Sequence, residues 1–224
     1  MPKIGVVLSG CGVMDGAEIH ESVLTLLALA QKGAEAVCMA PDMEQAHVIN
    51  HLTQQEMKEK RNVLVESARI ARGKIKDVKA VKPEEIDALI FPGGYGAAKN
   101  LCTFAFDGAD CEVQPDVARL ARQIQEAGKP IGAICISPAL MGKIFQGKNL
   151  SLTIGNEAET AAAISKMGHK HAACRVDEIC SDRNNGVVST PAYMLANDLA
   201  EAWRGIEKLV DEVLVMVKAR AARR

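Results

Sequence analysis

Aromatic residues and excess charge are both scarce in this 224-residue chain. Aromatics make up 3% of it, too few to build a platform on which single-stranded bases could stack. The net charge of −1 provides no long-range field that would attract nucleic acid or an anionic membrane. No apolar stretch approaches the roughly 20 residues that a membrane-spanning helix needs. We therefore predict neither nucleic-acid nor membrane partners.

The cysteines show no regular spacing that would predict a disulfide framework. There are seven, an odd number, in a chain too large to need covalent staples, which predicts reduced thiols and a cytoplasmic location. The first apolar segment, residues 4–8, is too short for the core of a signal peptide. An apolar content of 48% with 25% charged residues is typical of a globular protein with a substantial core.

Strand-like and helix-like segments alternate along the chain. The predicted strands are 3–9, 34–40, 88–91, 131–134, 150–154 and 187–190; the predicted helices are 19–32, 62–71, 114–127, 158–167 and a long one beyond Pro191. This alternation predicts a single α/β domain over residues 1–224, with an open, mostly parallel sheet and helices on both faces. Residues 43–60 form a polar excursion from the sheet, and residues 218–224 form a basic, solvated tail.

Apolar residues at helical spacing predict the buried faces of two helices. These residues are Val23, Leu26, Leu27 and Ala30 in helix 19–32, and Val117, Leu120, Ala121 and Ile124 in helix 114–127.

Cys135 stands between a short apolar strand and a segment that begins with Ser-Pro138, a typical helix start. A strand-to-helix elbow is a known position for a catalytic nucleophile. The helix N-terminus favours the charged form of a thiol placed there. The sequence therefore predicts an exposed thiol above the sheet, with a pKa below that of a free cysteine.

Three loops are expected to meet at the carboxyl edge of the sheet: residues 10–16, residues 92–96 and the Cys135 elbow. Glu21 lies one turn inside the helix that follows the first loop, so its carboxyl could exchange a proton with the thiol. Alternatively, Glu18 and Glu21 merely favour the helix N-terminus. The N–H groups of Gly94 and Ile136 could form an oxyanion hole, although Gly93-Gly94 alone is also typical of an ordinary turn.

Three segments carry a resemblance to a known family: Gly16-Ala-Glu-Ile-His-Glu21, Phe91-Pro-Gly-Gly94 and Ala133-Ile-Cys135-Ile-Ser-Pro138. In these the chain resembles the ThiJ/PfpI branch of the class I glutamine-amidotransferase-like superfamily, which implies a flavodoxin-like fold. Further segments, among them Leu152-Thr-Ile-Gly155 and Thr190-Pro-Ala-Tyr-Met-Leu-Ala196, are similar to the ElbB-type glyoxalases. The resemblance spans essentially the whole chain.

The resemblance implies an activity and a set of residues. The activity is the conversion of a small 2-oxoaldehyde, glyoxal and more weakly methylglyoxal, to the hydroxy acid without a cofactor or metal. An apparent protein-deglycase activity and a homodimer are also implied. Cys135 matches the family's nucleophile, Glu21 the acid beside it, and Gly94 and Ile136 the oxyanion donors.

The chain departs from the superfamily pattern where many members carry a triad histidine. That region reads Leu152-Thr-Ile-Gly-Asn-Glu157 and contains no histidine, so we expect slow turnover. An alternative function follows from the same residues: a redox-sensing or regulatory protein in which Cys135 is oxidised rather than turned over.

Other motifs carry weaker signals. Gly10-x-Gly12 has Asp15 where a dinucleotide-binding loop has its third glycine, so nicotinamide or flavin binding is disfavoured. The spacing of His169, His171 and Cys174 matches no common zinc pattern and favours surface histidines. Cys11, in the first loop, is favoured as a structural thiol, with oxidative pairing to Cys135 as the alternative.

Overall fold

The computed structural model describes residues 1–222. The strands in this range are β1 (Lys3–Val7), β2 (Glu35–Ala40), β3 (Ile49–Asn50), β4 (Gln55–Glu56), β5 (Ile75–Asp77), β6 (Ala88–Phe91), β7 (Ile131–Ile134), β8 (Ser151–Leu152), β9 (Lys170–His171), β10 (Cys180–Asp182) and β11 (Val187–Thr190). The helices are α1 (Ile19–Gln31), α2 (Val63–Ile70), α3 (Tyr95–Lys99), α4 (Phe104–Asp107), α5 (Pro115–Glu126), α6 (Ser137–Ile144), α7 (Ala158–Lys166) and α8 (Leu199–Ala221).

Seven strands form one sheet in the order β10-β11-β7-β6-β1-β2-β5. All neighbours pair in parallel except β10 and β11, which are antiparallel. The four strands β1, β6, β7 and β11 are almost entirely buried, as expected for apolar strands covered on both faces. The predicted open, mostly parallel sheet is confirmed.

Helices cover both faces of this sheet and create two apolar cores. Leu120 and Ile124 of α5 belong to the core on one face, together with Leu140 of α6. Leu29 of α1 and Leu209 of α8 belong to the core on the other face. The predicted inward face of α5 is confirmed, because its four apolar residues are all buried.

The predicted inward face of α1 is wrong. Val23 and Leu27 are 48% and 43% exposed, whereas the buried side carries Glu21, Ser22 and Thr25 beside its apolar residues. The polar residues of α1 did not indicate which side of the helix faces solvent, because these polar groups are buried and hydrogen-bonded within the fold. The hydroxyls of Ser22 and Thr25, for example, donate to the carbonyls one turn earlier, at 2.6 and 2.7 Å.

Several short elements differ from the prediction. The strand expected at 150–154 shrinks to β8, which pairs with β9 in a separate two-stranded sheet. Just beyond β8, the Thr153 N–H donates to the Ser189 hydroxyl at 2.9 Å rather than to a backbone carbonyl of a neighbouring strand. The edge strands β5 and β10 and the hairpin β3–β4 were not predicted; the hairpin lies within the polar excursion. After Pro191 the chain makes a single helical turn, Ala192–Met194, before α8 begins at Leu199.

Helix α8 includes the first part of the predicted basic tail. It continues to Ala221, and residues 218–222 are mostly exposed, with Arg220 donating to the Ala127 carbonyl, just after α5, at 3.1 Å. The last two residues of the predicted tail, 223–224, lie outside the described residues. Among residues 1–222, no helix combines the length and the apolar character that crossing a membrane requires.

Candidate active site

Cys135 forms the corner between β7 and α6, as predicted from the sequence. Its φ is +62°, in the left-handed region that cysteine rarely adopts, which is the backbone geometry of a nucleophile elbow. Gly93 makes this corner possible, because a Cβ on Gly93 would lie 2.4 Å from the Cβ of Cys135.

The Cys135 thiol is surrounded by polar groups of the fold. The backbone N–H groups of Gly94 and Ile136 both hydrogen-bond its sulfur, and the side chain of Glu21 is hydrogen-bonded to it from α1. The residue is 7% exposed, so the thiol is buried rather than exposed as predicted. The structure thus places Glu21, Gly94 and Ile136 around one sulfur atom, while their catalytic roles stay predictions.

The Glu21 carboxyl is held from three sides and has no solvent exposure. One oxygen accepts from the Gly93 N–H at 2.8 Å and the other from the Tyr193 N–H at 3.2 Å. The backbone N–H of Glu21 donates to the carboxylate of Glu18, which caps α1, at 2.6 Å. The two acids therefore have different positions: Glu18 at the helix end, as in the alternative interpretation, and Glu21 beside the thiol.

Burial controls the proton affinity of Glu21. Removal from water, then the negative charge of Glu18, raises the pKa of the Glu21 carboxyl from its ordinary 4.5 to about 8. The hydrogen bonds from Tyr193, Gly93 and Cys135 oppose this shift. The carboxyl consequently carries its proton at neutral pH and can lose it slightly above.

The predicted depression of the Cys135 pKa is wrong. Burial, and then the negative charge of Glu21, raise the pKa of this thiol well above the ordinary value of 9.0. The N–H groups of Gly94 and Ile136 act in the opposite direction and are too weak to reverse it. At rest the pair therefore holds a protonated thiol, and the nucleophile must form by transfer of its proton.

A cleft of about 660 Å³ opens above the thiol. It lies between the loops after β1, β6, β7 and β11 and the start of α7, and its walls include Val13, Tyr95, Cys135, Glu157 and Tyr193. The three loops expected at this edge do meet here, since the Tyr95 N–H donates to the Val13 carbonyl at 2.7 Å. Tyr193 and Glu157 were not identified from the sequence. For Tyr193 a signal was present, because it follows β11 at the carboxyl edge of the sheet, whereas Glu157 caps α7.

His20 does not reach the thiol but contacts the cleft wall. Its Nδ1 lies 2.8 Å from the hydroxyl of Tyr193, the residue whose N–H supports Glu21. The region 152–157 contains no histidine of its own, but His171 of β9 lies beside it, with Nε2 accepting from the Ile154 N–H at 3.4 Å. Glu157 and Thr160 line the cleft there.

The remaining predicted signals lie elsewhere in the fold. His169 is buried rather than at the surface, with Nδ1 accepting from the Leu150 N–H at 3.0 Å and Nε2 lying 2.7 Å from the Gly142 carbonyl. Cys11 does not line the cleft, and burial followed by the charge of Glu66 raises its pKa. Within residues 1–222, no cluster of three or more histidine, cysteine or acidic side chains is arranged to hold a metal ion.

Comparison with known proteins identifies relatives of the whole chain. No protein-family model matches it. The human glutamine amidotransferase-like class 1 domain-containing protein 3, mitochondrial, is 47% identical over 222 residues, covering 95% of this chain and 82% of the human protein. The ES1 protein homolog, mitochondrial, of Rattus norvegicus is 46% identical over 222 residues, with 95% and 83% covered.

Solved structures share the fold. An isoprenoid biosynthesis protein with an amidotransferase-like domain from Ehrlichia chaffeensis superimposes with a TM-score of 0.88 at 37% identity, over 95% of this chain and 99% of that one. Glyoxalase III from Candida albicans superimposes with a TM-score of 0.62 at 12% identity, over 96% and 97% of the two chains. At that identity the second similarity shows the fold alone.

The predicted cytoplasmic location is contradicted by these relatives, because the human, rat and zebrafish proteins are all named mitochondrial. The irregular cysteine pattern on which the prediction relied does not distinguish one reducing compartment from another.

The sequence resemblance stated above is confirmed at the level of the superfamily. Identity of 47% over nearly the whole chain establishes kinship with the human protein, and the solved structures with this fold include DJ-1/ThiJ/PfpI members. The chain therefore belongs to the glutamine amidotransferase-like class 1 domain family.

Proposed function

We propose that this protein is a cofactor-independent glyoxalase that converts glyoxal, and more weakly methylglyoxal, to the 2-hydroxy acid. One observation carries the proposal: a buried carboxyl, Glu21, is hydrogen-bonded to a thiol on a strained elbow, beneath two N–H groups. This arrangement supplies a nucleophile, a proton carrier and oxyanion donors at one point.

The first step adds the Cys135 thiol to one aldehyde carbon. The S–C bond forms while the ionised form of Glu21 takes the thiol proton, and the carbonyl electron pair moves to oxygen. The N–H groups of Gly94 and Ile136 stabilise that oxygen, each such donor contributing about 3 kcal/mol in other enzymes. Glu21 then returns the proton to the oxygen, which completes a hemithioacetal.

The second step moves a hydrogen between the two carbons. Glu21 removes the proton from the carbon that bears sulfur, giving an enediolate, and delivers it to the neighbouring carbon. The hydroxyl proton on the first oxygen moves to the second oxygen in the same step. The product is a thioester of the hydroxy acid, with no external oxidant or reductant consumed. Water then cleaves the thioester, which releases glycolate and restores the thiol.

The proton affinity of Glu21 suits this role. A general acid–base works best when its pKa lies near the operating pH, and burial has brought this carboxyl to about 8. An ordinary surface glutamate would be fully ionised at neutral pH and would return a proton poorly.

The proposal is tested by measuring glycolate formation from glyoxal by the wild type and by Cys135→Ala. Wild-type turnover above that of an equal concentration of free thiol, together with its loss in Cys135→Ala, is the expected result. Cys180→Ala is the matched control, since Cys180 lies in the edge strand β10 and does not line the cleft. Turnover that survives in Cys135→Ala contradicts the proposal.

The alternative, a redox sensor, is less well supported by the site. Peroxides react with the thiolate, and burial together with the charge of Glu21 raises the Cys135 pKa. A wild-type rate no better than free thiol, with rapid oxidation of Cys135 by peroxide, would favour the sensor. An apparent deglycase activity would follow from removal of free glyoxal and needs no separate site.

A further inference from the structure

The cleft is much larger than the small aldehyde that the chemistry requires. Glyoxal has four non-hydrogen atoms, whereas a volume of about 660 Å³ lies in the range of pockets that hold drug-sized ligands. Most of this space lies beyond the reach of a two- or three-carbon substrate bound to the sulfur. A substrate that used the cleft fully would carry a further group.

The walls of the cleft favour an apolar group in that space. Val13, Phe104, Ala163 and Met194 all line it, from four different segments of the chain. Apolar surface placed against such walls leaves water on binding, which contributes roughly 25 cal/mol for each Å² buried. A substituent of about ring size would gain this contribution, and glyoxal would not.

The charge of the cleft is of one sign. Glu18, Glu157 and Glu159 line it, and no lysine, arginine or histidine is among the described residues that do. Glu157 is ionised at neutral pH, because hydrogen bonds from Thr160 and from the Glu159 N–H lower its pKa. Charges of one sign within poorly polarisable walls produce a local field stronger than the net charge of −1 suggests.

A nearby cation does not cancel this field within the cleft. Lys99 lies against the ring of Tyr95, with its amine 5.0 Å from the ring centroid, and donates to the Met14 carbonyl. Lys99 is not among the residues that line the cleft, and its amine is already engaged by the Tyr95 ring and the Met14 carbonyl.

We propose that the site takes 2-oxoaldehydes bearing a neutral or cationic apolar group of about ring size, and rejects anionic carbonyl compounds. This inference rests on the proposed glyoxalase function. It also accounts for product release, since the hydroxy acid formed is an anion in an acidic cleft.

The substrate test compares compounds matched in shape. These are glyoxal, phenylglyoxal and 4-carboxyphenylglyoxal, each measured as kcat/KM with the wild type. We expect phenylglyoxal to exceed glyoxal by about tenfold from the added apolar contact. We expect the carboxylated compound to fall at least about tenfold below phenylglyoxal, and this gap to narrow in about 1 M salt, where charges are screened.

Charge variants test whether the acidic residues of the cleft cause the discrimination against the carboxylated substrate. Glu159 is exposed at the start of α7, so Glu159→Lys should shrink the gap between phenylglyoxal and its carboxylated analogue by at least about threefold. Glu84→Lys is the control, because it makes the same change in net charge at an exposed position outside the cleft. The gap should be unchanged in the control.

Alkylation of Cys135 tests the charge argument without turnover. Iodoacetamide and iodoacetate are similar in size and differ in charge, so we expect iodoacetate to be disfavoured at Cys135 by at least about fivefold more than at a small free thiol. No turnover of any aldehyde would contradict the proposed function. Equal turnover of the neutral and anionic substrates, or the same reagent preference as the free thiol, would overturn the inference alone.

Discussion

The carboxyl of Glu21 and the thiol of Cys135 are hydrogen-bonded to each other in a site where neither has significant contact with water. The negative charge of Glu21 raises the pKa of the thiol, whereas the hydrogen bond from the thiol lowers the pKa of the carboxyl, so the two groups titrate as a pair rather than independently. The first proton leaves the pair at a pH set by Glu21, near 8. The reactive form is the pair after this loss, because only then is a base present to receive the thiol proton.

The pH dependence of turnover follows from this pairing. Below the Glu21 pKa both groups are protonated and no base is available, so kcat/KM for glyoxal should rise with pH and level off above about 8. A profile from steady-state assays between pH 6 and pH 9.5 measures it. A rate already at its maximum at pH 6 would show that the pair has lost its proton well below 8.

The raised pKa of Glu21 should also make the stability of the fold depend on pH, with stability falling as pH rises. The pKa of Glu21 is about 8 in the fold and 4.5 ordinarily, so between these values the folded state holds more protons than the unfolded state. The wild type should therefore lose up to about 1.4 kcal/mol of unfolding free energy per pH unit as pH rises through this window, relative to Glu21→Gln. Urea unfolding of both proteins at pH 5 and pH 8 measures the difference. Parallel pH dependences would contradict the raised pKa.

The close approach of Gly93 to the site predicts a steric effect on activity. A Cβ there would lie 2.4 Å from the Cys135 Cβ and 2.8 Å from the Glu21 oxygen, so Gly93→Ala should abolish turnover and lower stability by about 1–3 kcal/mol. Gly132→Ala is the matched control in β7, where the nearest heavy atoms are side-chain carbons of Leu209, Ile90 and Val213. Gly132→Ala should lower the free energy of unfolding but leave the geometry around Cys135 and Glu21 unchanged. Comparable turnover in the two variants would contradict the packing argument.

The homodimer implied by the family resemblance stays a prediction. Light scattering coupled to size exclusion should give twice the mass of one chain at micromolar concentration. The mass of a single chain, unchanged as concentration rises, would contradict it.

The sequence predicted correctly those elements whose structure is determined by interactions between residues close together in the chain. The elbow at Cys135 was predicted because an apolar strand and a proline-started helix adjoin it directly. The amphipathic pattern of α5 was equally clear, because its polar residues do face solvent. The buried face of α1 was predicted wrongly, because its polar residues are buried with their hydrogen bonds satisfied. Ser22 and Thr25 bond carbonyls one turn earlier in the helix, and Glu21 bonds the remote N–H groups of Gly93 and Tyr193.

The site was only partly predictable for the same reason. Glu21 and Gly94 could be located from the loops that carry them, but the direction of the Cys135 pKa depends on how deeply the thiol is buried, which is a property of the tertiary structure. Tyr193 reaches the cleft because β11 lies beside β7 in the sheet, and Glu157 reaches it at the start of α7; both placements depend on the tertiary structure.

The central claim, that Glu21 moves the proton in the chemistry of Cys135, is tested most directly by the rate of glycolate formation from glyoxal by Glu21→Gln at pH 8. Glu66→Gln is the control, because it removes another buried carboxylate, one that lies outside the cleft and is paired with Arg69. The account predicts a loss of at least about 100-fold in kcat for Glu21→Gln with the control near the wild type. A rate for folded Glu21→Gln within about threefold of the wild type would contradict it.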